Sequence, residues 1–204
     1  MKRIFIALIS FATLCSFNED KQVKLIIDAG HGGSDAGAVS VAGDKETDIS
    51  LQFPTALYTQ AKLKNIEAVL TRSSDEYRTL TERAHTQADA DAKTFFVSFH
   101  MNTESSHQKR GGEVIYSGAN PNNAASKALA EKITAALNRL NNVPTVLTDK
   151  NLVVLKDNAV PAIVVSPGYI SNEQDLRKLK DPGIQKELAM LIVKAIQEYA
   201  VYST

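Results

Sequence analysis

Two histidines stand at the ends of apolar runs that are typical of buried strands. His31 follows the run at residues 23–28 and is bracketed by glycines, and His100 closes the run at residues 94–100. Ligands of open α/β sheets bind beyond the carboxyl ends of the strands, so we expect the two imidazoles to converge there. Imidazole is a common zinc ligand. The pattern predicts a metal site that uses His31 and His100.

A zinc site with two histidines needs a carboxylate to bind the ion firmly, as in the catalytic sets of two His and one Glu that leave one position for water. Three acids near the start of the first predicted helix are candidates, namely Asp44, Glu46 and Asp48. All three also complement the positive end of a helix dipole, and spacing does not choose among them. Asp28 and Asp35 are predicted to orient the ligating histidines from behind.

Other chemistries fit the sequence less well. Residues 30–34 are rich in glycine but lack the Gly-Lys-Ser/Thr ending of a phosphate loop. Ser166 has Val164 two residues before it, where a serine nucleophile elbow needs glycine. His85 and His107 lie in polar sequence and are predicted to be surface residues.

The elements that must position these residues alternate between strands and long helices. This alternation predicts a single α/β domain with a mainly parallel twisted β-sheet of about six strands and helices on both faces. The predicted strands are residues 23–28, 66–71, 94–100, 113–116, 152–155 and 162–165. The predicted helices are residues 48–63, 80–92, 124–140 and 184–199. A length of 204 residues leaves little room for a second domain.

The overall charge is balanced, with 23 Lys and Arg against 23 Asp and Glu. Nucleic-acid binding usually shows as a basic excess, so no nucleic-acid partner is expected. The chain has one cysteine, which excludes an internal disulfide or a thiolate zinc cage.

The first residues are typical of a targeting segment. Residues 1–17 combine a basic start with an apolar run that a polar stretch ends, as in a secretory signal peptide, and the run is too short to span a bilayer. We predict a leader at 1–17, a linker at 18–22 and the domain at 23–204, exported to the periplasm or envelope of a bacterial cell. Cys15 stands where a lipoprotein cysteine would stand, so a lipid anchor is the alternative. Membrane contact is expected only with that anchor.

Taken together, these motifs resemble the zinc-dependent N-acetylmuramoyl-L-alanine amidases with the Amidase_3-type catalytic domain. The resemblance implies hydrolysis of the amide between the lactyl group of N-acetylmuramic acid and L-alanine of the peptidoglycan stem peptide. It implies one zinc ion with ligands His31, Glu46 and His100, and so selects Glu46 from the three acids. Asn102 of the Ser-x-His-x-Asn motif is then expected to contact the substrate. The matching segments are residues 27–33, 46–51, 70–72, 80–83, 98–102, 112–116, 161–165 and 168–172.

One position departs from the family pattern. Ser166 stands where the family has a catalytic Glu, two residues before Gly168. That Glu is implied to take a proton from the attacking water and pass it to the leaving nitrogen, which a serine hydroxyl cannot do near neutral pH. General acid–base catalysis contributes about 10²–10⁴-fold, so slow hydrolysis is expected unless Glu104, Glu113 or Glu173 substitutes. The alternative is a catalytically impaired protein that binds zinc and peptidoglycan. Either protein is expected to be a monomer.

Overall fold

A six-stranded sheet organises the computed structural model, which describes residues 22–85, 93–140 and 144–202. The strands in these ranges are β1 (Val23–Ala29), β2 (Glu67–Leu70), β3 (Lys93–Phe99), β4 (Glu113–Tyr116), β5 (Val146–Asp149) and β6 (Ala162–Ser166). The helices are α1 (Glu46–Leu63), α2 (Leu80–Ala84), α3 (Asn123–Leu140), α4 (Val153–Lys156), α5 (Glu173–Leu179) and α6 (Pro182–Tyr202). The strand order is β2-β1-β3-β6-β4-β5. Only the β4–β6 pair is antiparallel, so the predicted mainly parallel sheet is confirmed.

The central strands β1 and β3 are covered on both faces, which explains why their sequences are almost unbroken apolar runs. Their parallel register pairs Ile27 with Val97 and Ala29 with Phe99. The two strands therefore end side by side, and the residues that follow them emerge at the same edge of the sheet.

Helices cover both faces of the sheet, as predicted. Residues of α1, α3 and α6 pack against one face, where the strands present side chains such as Leu25 and Val97. On the other face, α4 packs against Ile26, Phe96 and Val164. Helix α2 lies beside α4 on this second face.

One predicted strand is wrong. Residues 152–155 do not form a strand, because α4 occupies Val153–Lys156 and the Leu155 and Lys156 N–H groups both donate to the Leu152 carbonyl. Four apolar residues in a row do not distinguish a strand from a helical turn by periodicity. The edge position belongs instead to β5, which the sequence did not predict because its side chains are half-buried or exposed. Helix α5 was also not predicted.

Some predictions fall outside the described residues. Helix α2 ends at Ala84, and residues 86–92 of the longer helix predicted there are not described. The predicted leader at 1–17, with Cys15, lies outside the described residues as well. None of the described helices combines the length and apolar character that crossing a bilayer requires.

Candidate metal centre and active site

His31, Glu46 and His100 converge beyond the carboxyl ends of β1 and β3. His31 Nε2 lies 3.1 Å from Glu46 Oε1 and 3.2 Å from His100 Nδ1, and His100 Nδ1 lies 3.1 Å from the same Glu46 oxygen. Ligands at about 2.0–2.2 Å from a tetrahedral zinc ion are roughly 3.3–3.6 Å apart. The three atoms lie close enough together to bind one such ion as a group. These side chains could hold a zinc ion.

The loop after β1 gives His31 its orientation. His31 has a φ of 61°, in the left-handed region that few side chains adopt, and it lies between two glycines. Its Nδ1 lies 2.9 Å from Asp35 Oδ2. When Nδ1–H donates to this carboxylate, Nε2, the atom that faces Glu46, is free to bind a metal.

Glu46 is the first residue of α1 and is 3% exposed. The Met101 N–H donates to its Oε1 at 2.8 Å, and the Ala38 N–H donates to its Oε2 at 3.0 Å. These backbone donors fix both carboxylate oxygens. The two alternative acids lie elsewhere, since Asp44 pairs with Lys180 and Asp48 is exposed.

The electrostatics of the cluster hold Glu46 in its charged form. Burial by itself would raise the pKa of Glu46, but the hydrogen bonds and charges of His100 and His31 outweigh it and hold the pKa well below its usual range. For His31, burial acts to lower the pKa, and the carboxylates of Glu46 and Asp35 reverse this, so its pKa is raised.

A buried ion pair supports His100 from behind. Asp28 is fully buried and accepts hydrogen bonds from Arg83 Nε at 2.9 Å, from Arg83 Nη2 at 2.6 Å, from Thr71 and from Ser98. Burial would raise the pKa of Asp28, but these partners, Arg83 foremost, lower it. Arg83 Nη2 also lies 3.2 Å from His100 Nε2. Among the described residues, Asp28 makes no hydrogen bond to His31 or His100, and Arg83 connects it to His100. The role of Asp28 in orienting a ligating histidine stays a prediction.

Arg72 is a structural residue of the site to which the sequence reasoning assigned no role. It is 2% exposed, and its guanidinium donates to the carbonyls of Ala29, Gly30, Thr47 and Ser74. These bonds tie the loop that carries His31 to the first turn of α1, which carries Glu46. The signals in the sequence were an arginine after an apolar strand and its place in the segment 70–72 that resembles the family.

The remaining predicted residues differ in how deeply they are buried. Ser166 ends β6 and is 2% exposed. Asn102 has a buried side-chain nitrogen with no hydrogen-bond partner among the described residues, and its role in substrate contact stays a prediction. His85 and His107 are exposed, which confirms their prediction as surface residues.

Gly30 leaves the space in which the His100 ring sits. A Cβ at Gly30 would lie 2.5 Å from His100 Cε1 and 2.7 Å from the Phe99 carbonyl oxygen. We therefore expect Gly30→Ala to displace His100, to cost about 1–3 kcal/mol of stability by overpacking and to weaken zinc binding at least about 10-fold. Zinc titration and thermal unfolding measure both effects. Gly183→Ala, where a Cβ would meet only the Asp181 side chain, is the control, and equal zinc affinity in the two variants would contradict the prediction.

Comparison with known proteins identifies the family. A family model described as N-acetylmuramoyl-L-alanine amidase matches residues 25–198. This chain belongs to the N-acetylmuramoyl-L-alanine amidase family. The match covers nearly all of the described residues, including His31, Glu46, His100 and Ser166.

Individual amidases are also similar to this chain in sequence and structure. The chain is 31% identical over 174 residues to the N-acetylmuramoyl-L-alanine amidase CwlM of Bacillus licheniformis, an alignment that covers 82% of this chain and 64% of CwlM. It is 31% identical over 186 residues to the "Probable cell wall amidase LytH" of Staphylococcus saprophyticus, covering 88% of this chain and 59% of LytH. The crystal structure of an N-acetylmuramoyl-L-alanine amidase from Clostridium difficile 630 superposes with a TM-score of 0.81 at 27% identity, covering 90% of this chain and 100% of that one. The chain thus spans about 60% of the length of these two relatives and the whole of that solved structure.

Proposed function

We propose that this protein is a zinc-dependent amidase that hydrolyses the bond between the lactyl group of N-acetylmuramic acid and L-alanine of the stem peptide. The observation that carries the proposal is the convergence of His31 Nε2, Glu46 Oε1 and His100 Nδ1, each within 3.2 Å of the others. The family match supports the choice of substrate, because the matched family is described by that amide bond.

The chain's own residues would prepare the site. Asp35 holds the His31 ring so that Nε2 faces the cluster. The Met101 and Ala38 N–H groups hold the Glu46 carboxylate in place. His31, Glu46 and His100 would hold a zinc ion, which would supply Lewis-acid chemistry toward a substrate carbonyl and a bound water.

Position 166 does not supply the carboxylate that the family resemblance implies for proton transfer. Ser166 offers a hydroxyl, which does not accept a proton near neutral pH. Proton transfer by a positioned side chain contributes about 10²–10⁴-fold to such reactions. The alternative of a non-catalytic protein that binds peptidoglycan rests on this residue alone, and the names of the relatives, which are amidases, do not favour it.

The proposed substrate, peptidoglycan, lies in the bacterial envelope. We propose that residues 1–17 direct export and that the mature domain acts on the wall, either as a soluble protein or anchored through Cys15. The name of the relative LytH, a cell wall amidase, supports this location.

The test is hydrolysis of purified peptidoglycan by the chain from residue 18 onward. We expect the protein to release stem peptides with a free N-terminal L-alanine when loaded with zinc, to stop when a chelator removes the ion, and to recover when zinc is returned. As a control, His85→Ala changes an exposed histidine outside the cluster and is expected to keep the wild-type rate and the same response to chelator and zinc. Hydrolysis that continues at an undiminished rate after complete metal removal would overturn the proposal.

A further inference from the structure

An amide hydrolase needs a group that accepts a proton from the attacking water and returns it to the leaving nitrogen. Two carboxylates near the metal cluster are already engaged. Asp35 is hydrogen-bonded to His31, and Asp28 is fully buried against Arg83. The candidates that remain are the glutamates that could substitute for a base at position 166.

Two of these glutamates lie outside the strands of the sheet and make contacts within their own segments. The Glu104 carboxylate accepts a hydrogen bond from Ser106 within its own exposed loop. Glu173 lies in the first turn of α5, has an 82% exposed side chain and pairs with Arg177. Neither is on a strand that ends at the metal cluster.

Glu113 is different, because the sheet register places it beside Ser166. In the antiparallel pair of β4 and β6, Glu113 is directly opposite Ser166. Directly opposite residues point to the same face, with Cβ atoms about 4.5–5.5 Å apart. Glu113 therefore points to the same face of the sheet as the residue in the expected base position.

The same row of the sheet reaches the metal cluster. The parallel register of β3 and β6 pairs Phe99 with Val165, and the His100 N–H donates to the Val165 carbonyl at 3.2 Å. Extending this register by one residue places His100, just beyond the end of β3, beside Ser166. His100, Ser166 and Glu113 then follow one another across this edge of the sheet. Ser166 is short, and its hydroxyl makes no hydrogen bond with another described residue.

The present partner of Glu113 does not hold it firmly. Its carboxylate lies 2.6 Å from Lys150 Nζ, while its side chain is 16% exposed and that of Lys150 is 45% exposed. Solvent screens the charge of the half-exposed Lys150, so the ion pair alone does little to keep the carboxylate from turning toward the site.

We propose that Glu113 is the general base of this amidase and replaces, from the neighbouring strand, the carboxylate that is missing at position 166. The inference rests on the proposed function. Glu113 accepts a proton as the water oxygen bonds to the lactyl carbonyl carbon, and donates it to the alanine nitrogen as the C–N bond breaks. The products are a lactyl carboxylic acid and a free amine, which become a carboxylate and an ammonium group when the acid passes its proton to the amine, and no further reactant is needed.

The first experiment compares peptidoglycan hydrolysis by the zinc-loaded wild type, Glu113→Gln and the control Glu173→Gln. We expect Glu113→Gln to lower kcat by about 10²-fold or more at unchanged zinc content and melting temperature. Glu173→Gln is expected to keep the wild-type rate. Equal rates for Glu113→Gln and wild type would overturn the inference while leaving the proposed function intact.

Rescue separates a catalytic role from a structural one. In Glu113→Ala, added formate or acetate is expected to restore part of the lost rate, because a small carboxylate can occupy the vacated space. In the double variant Ser166→Glu with Glu113→Gln, a carboxylate at position 166 is expected to bring the rate back to within about tenfold of wild type. Failure of both rescues in folded, zinc-loaded protein would overturn the role of Glu113.

The outcomes also distinguish this inference from the function on which it rests. If the wild type is inactive but Ser166→Glu is active, the metal site and substrate are supported, and Glu113 is not a base. If the wild type and every variant are inactive with zinc bound, the proposed function fails and the inference fails with it.

Discussion

Glu46→Gln is expected to abolish zinc binding and hydrolysis together. An amide oxygen carries no net charge, and its NH₂ group would face one of the two backbone donors, Met101 N–H or Ala38 N–H, that now contact the carboxylate. Loss of a partner behind a metal ligand already costs about 10–100-fold in affinity, so loss of the ligand charge is expected to cost more than about 100-fold. Metal analysis of the desalted protein and the rate of peptidoglycan hydrolysis measure the two effects.

The matched control is Asp48→Asn, which removes an acid from the same turn of α1. Asp48 is exposed, so we expect this variant to retain stoichiometric zinc and the wild-type rate. Retention of zinc by Glu46→Gln, or its loss from Asp48→Asn, would show that the carboxylate ligand has been assigned to the wrong residue.

Asp28→Asn is expected to have the largest effect on stability. Asp28 is 0% and Arg83 is 3% exposed, and their atoms lie as close as 2.6 Å. Removing one partner of a buried ion pair leaves an uncompensated charge and costs about 3–5 kcal/mol. Because Arg83 also contacts His100, we expect zinc affinity to fall by about 10–100-fold in the protein that remains folded. Urea unfolding and zinc titration at pH 7 measure these losses.

The pH dependence of the free energy of unfolding tests the same prediction in a second way. The folded-state pKa of Asp28 is lowered, so its contribution to the free energy of unfolding is present above the ordinary aspartate pKa of about 3.9. That contribution is lost as the pH falls through the folded-state pKa. The stability difference between wild type and Asp28→Asn should therefore shrink below about pH 4. A difference that stays constant down to pH 2, or a loss at pH 7 no larger than that of the surface variant Glu173→Gln, would contradict this account of the ion pair.

The sequence predicted the centre of the fold better than its edges. Strands β1 and β3 are buried on both faces, so their apolar runs are long and unambiguous. The edge strand β5 has four residues that are exposed or half-buried, and the four apolar residues of α4 form a helical turn. At such lengths tertiary contacts decide the structure, and local pattern does not.

The candidate site could also be predicted from the sequence only in part. Both histidines could be predicted because they follow strands whose ends must meet at one sheet edge. Glu46 could not be chosen over Asp44 and Asp48 from spacing, because the choice depends on where the chain turns between β1 and α1. The contact from Asp28 through Arg83 to His100 joins residues 55 and 17 positions apart, so no local pattern could reveal it.

The most direct measurement of the central claim is the identity of the products formed from a defined muropeptide. The zinc-loaded chain is predicted to yield an N-acetylmuramic acid with a free lactyl carboxylate and a stem peptide with a free N-terminal L-alanine, and mass spectrometry detects both. The same reaction with chelator should leave the muropeptide intact. Cleavage of a glycosidic or peptide bond instead, or an intact muropeptide after prolonged incubation with folded, zinc-loaded protein, would contradict the proposed function.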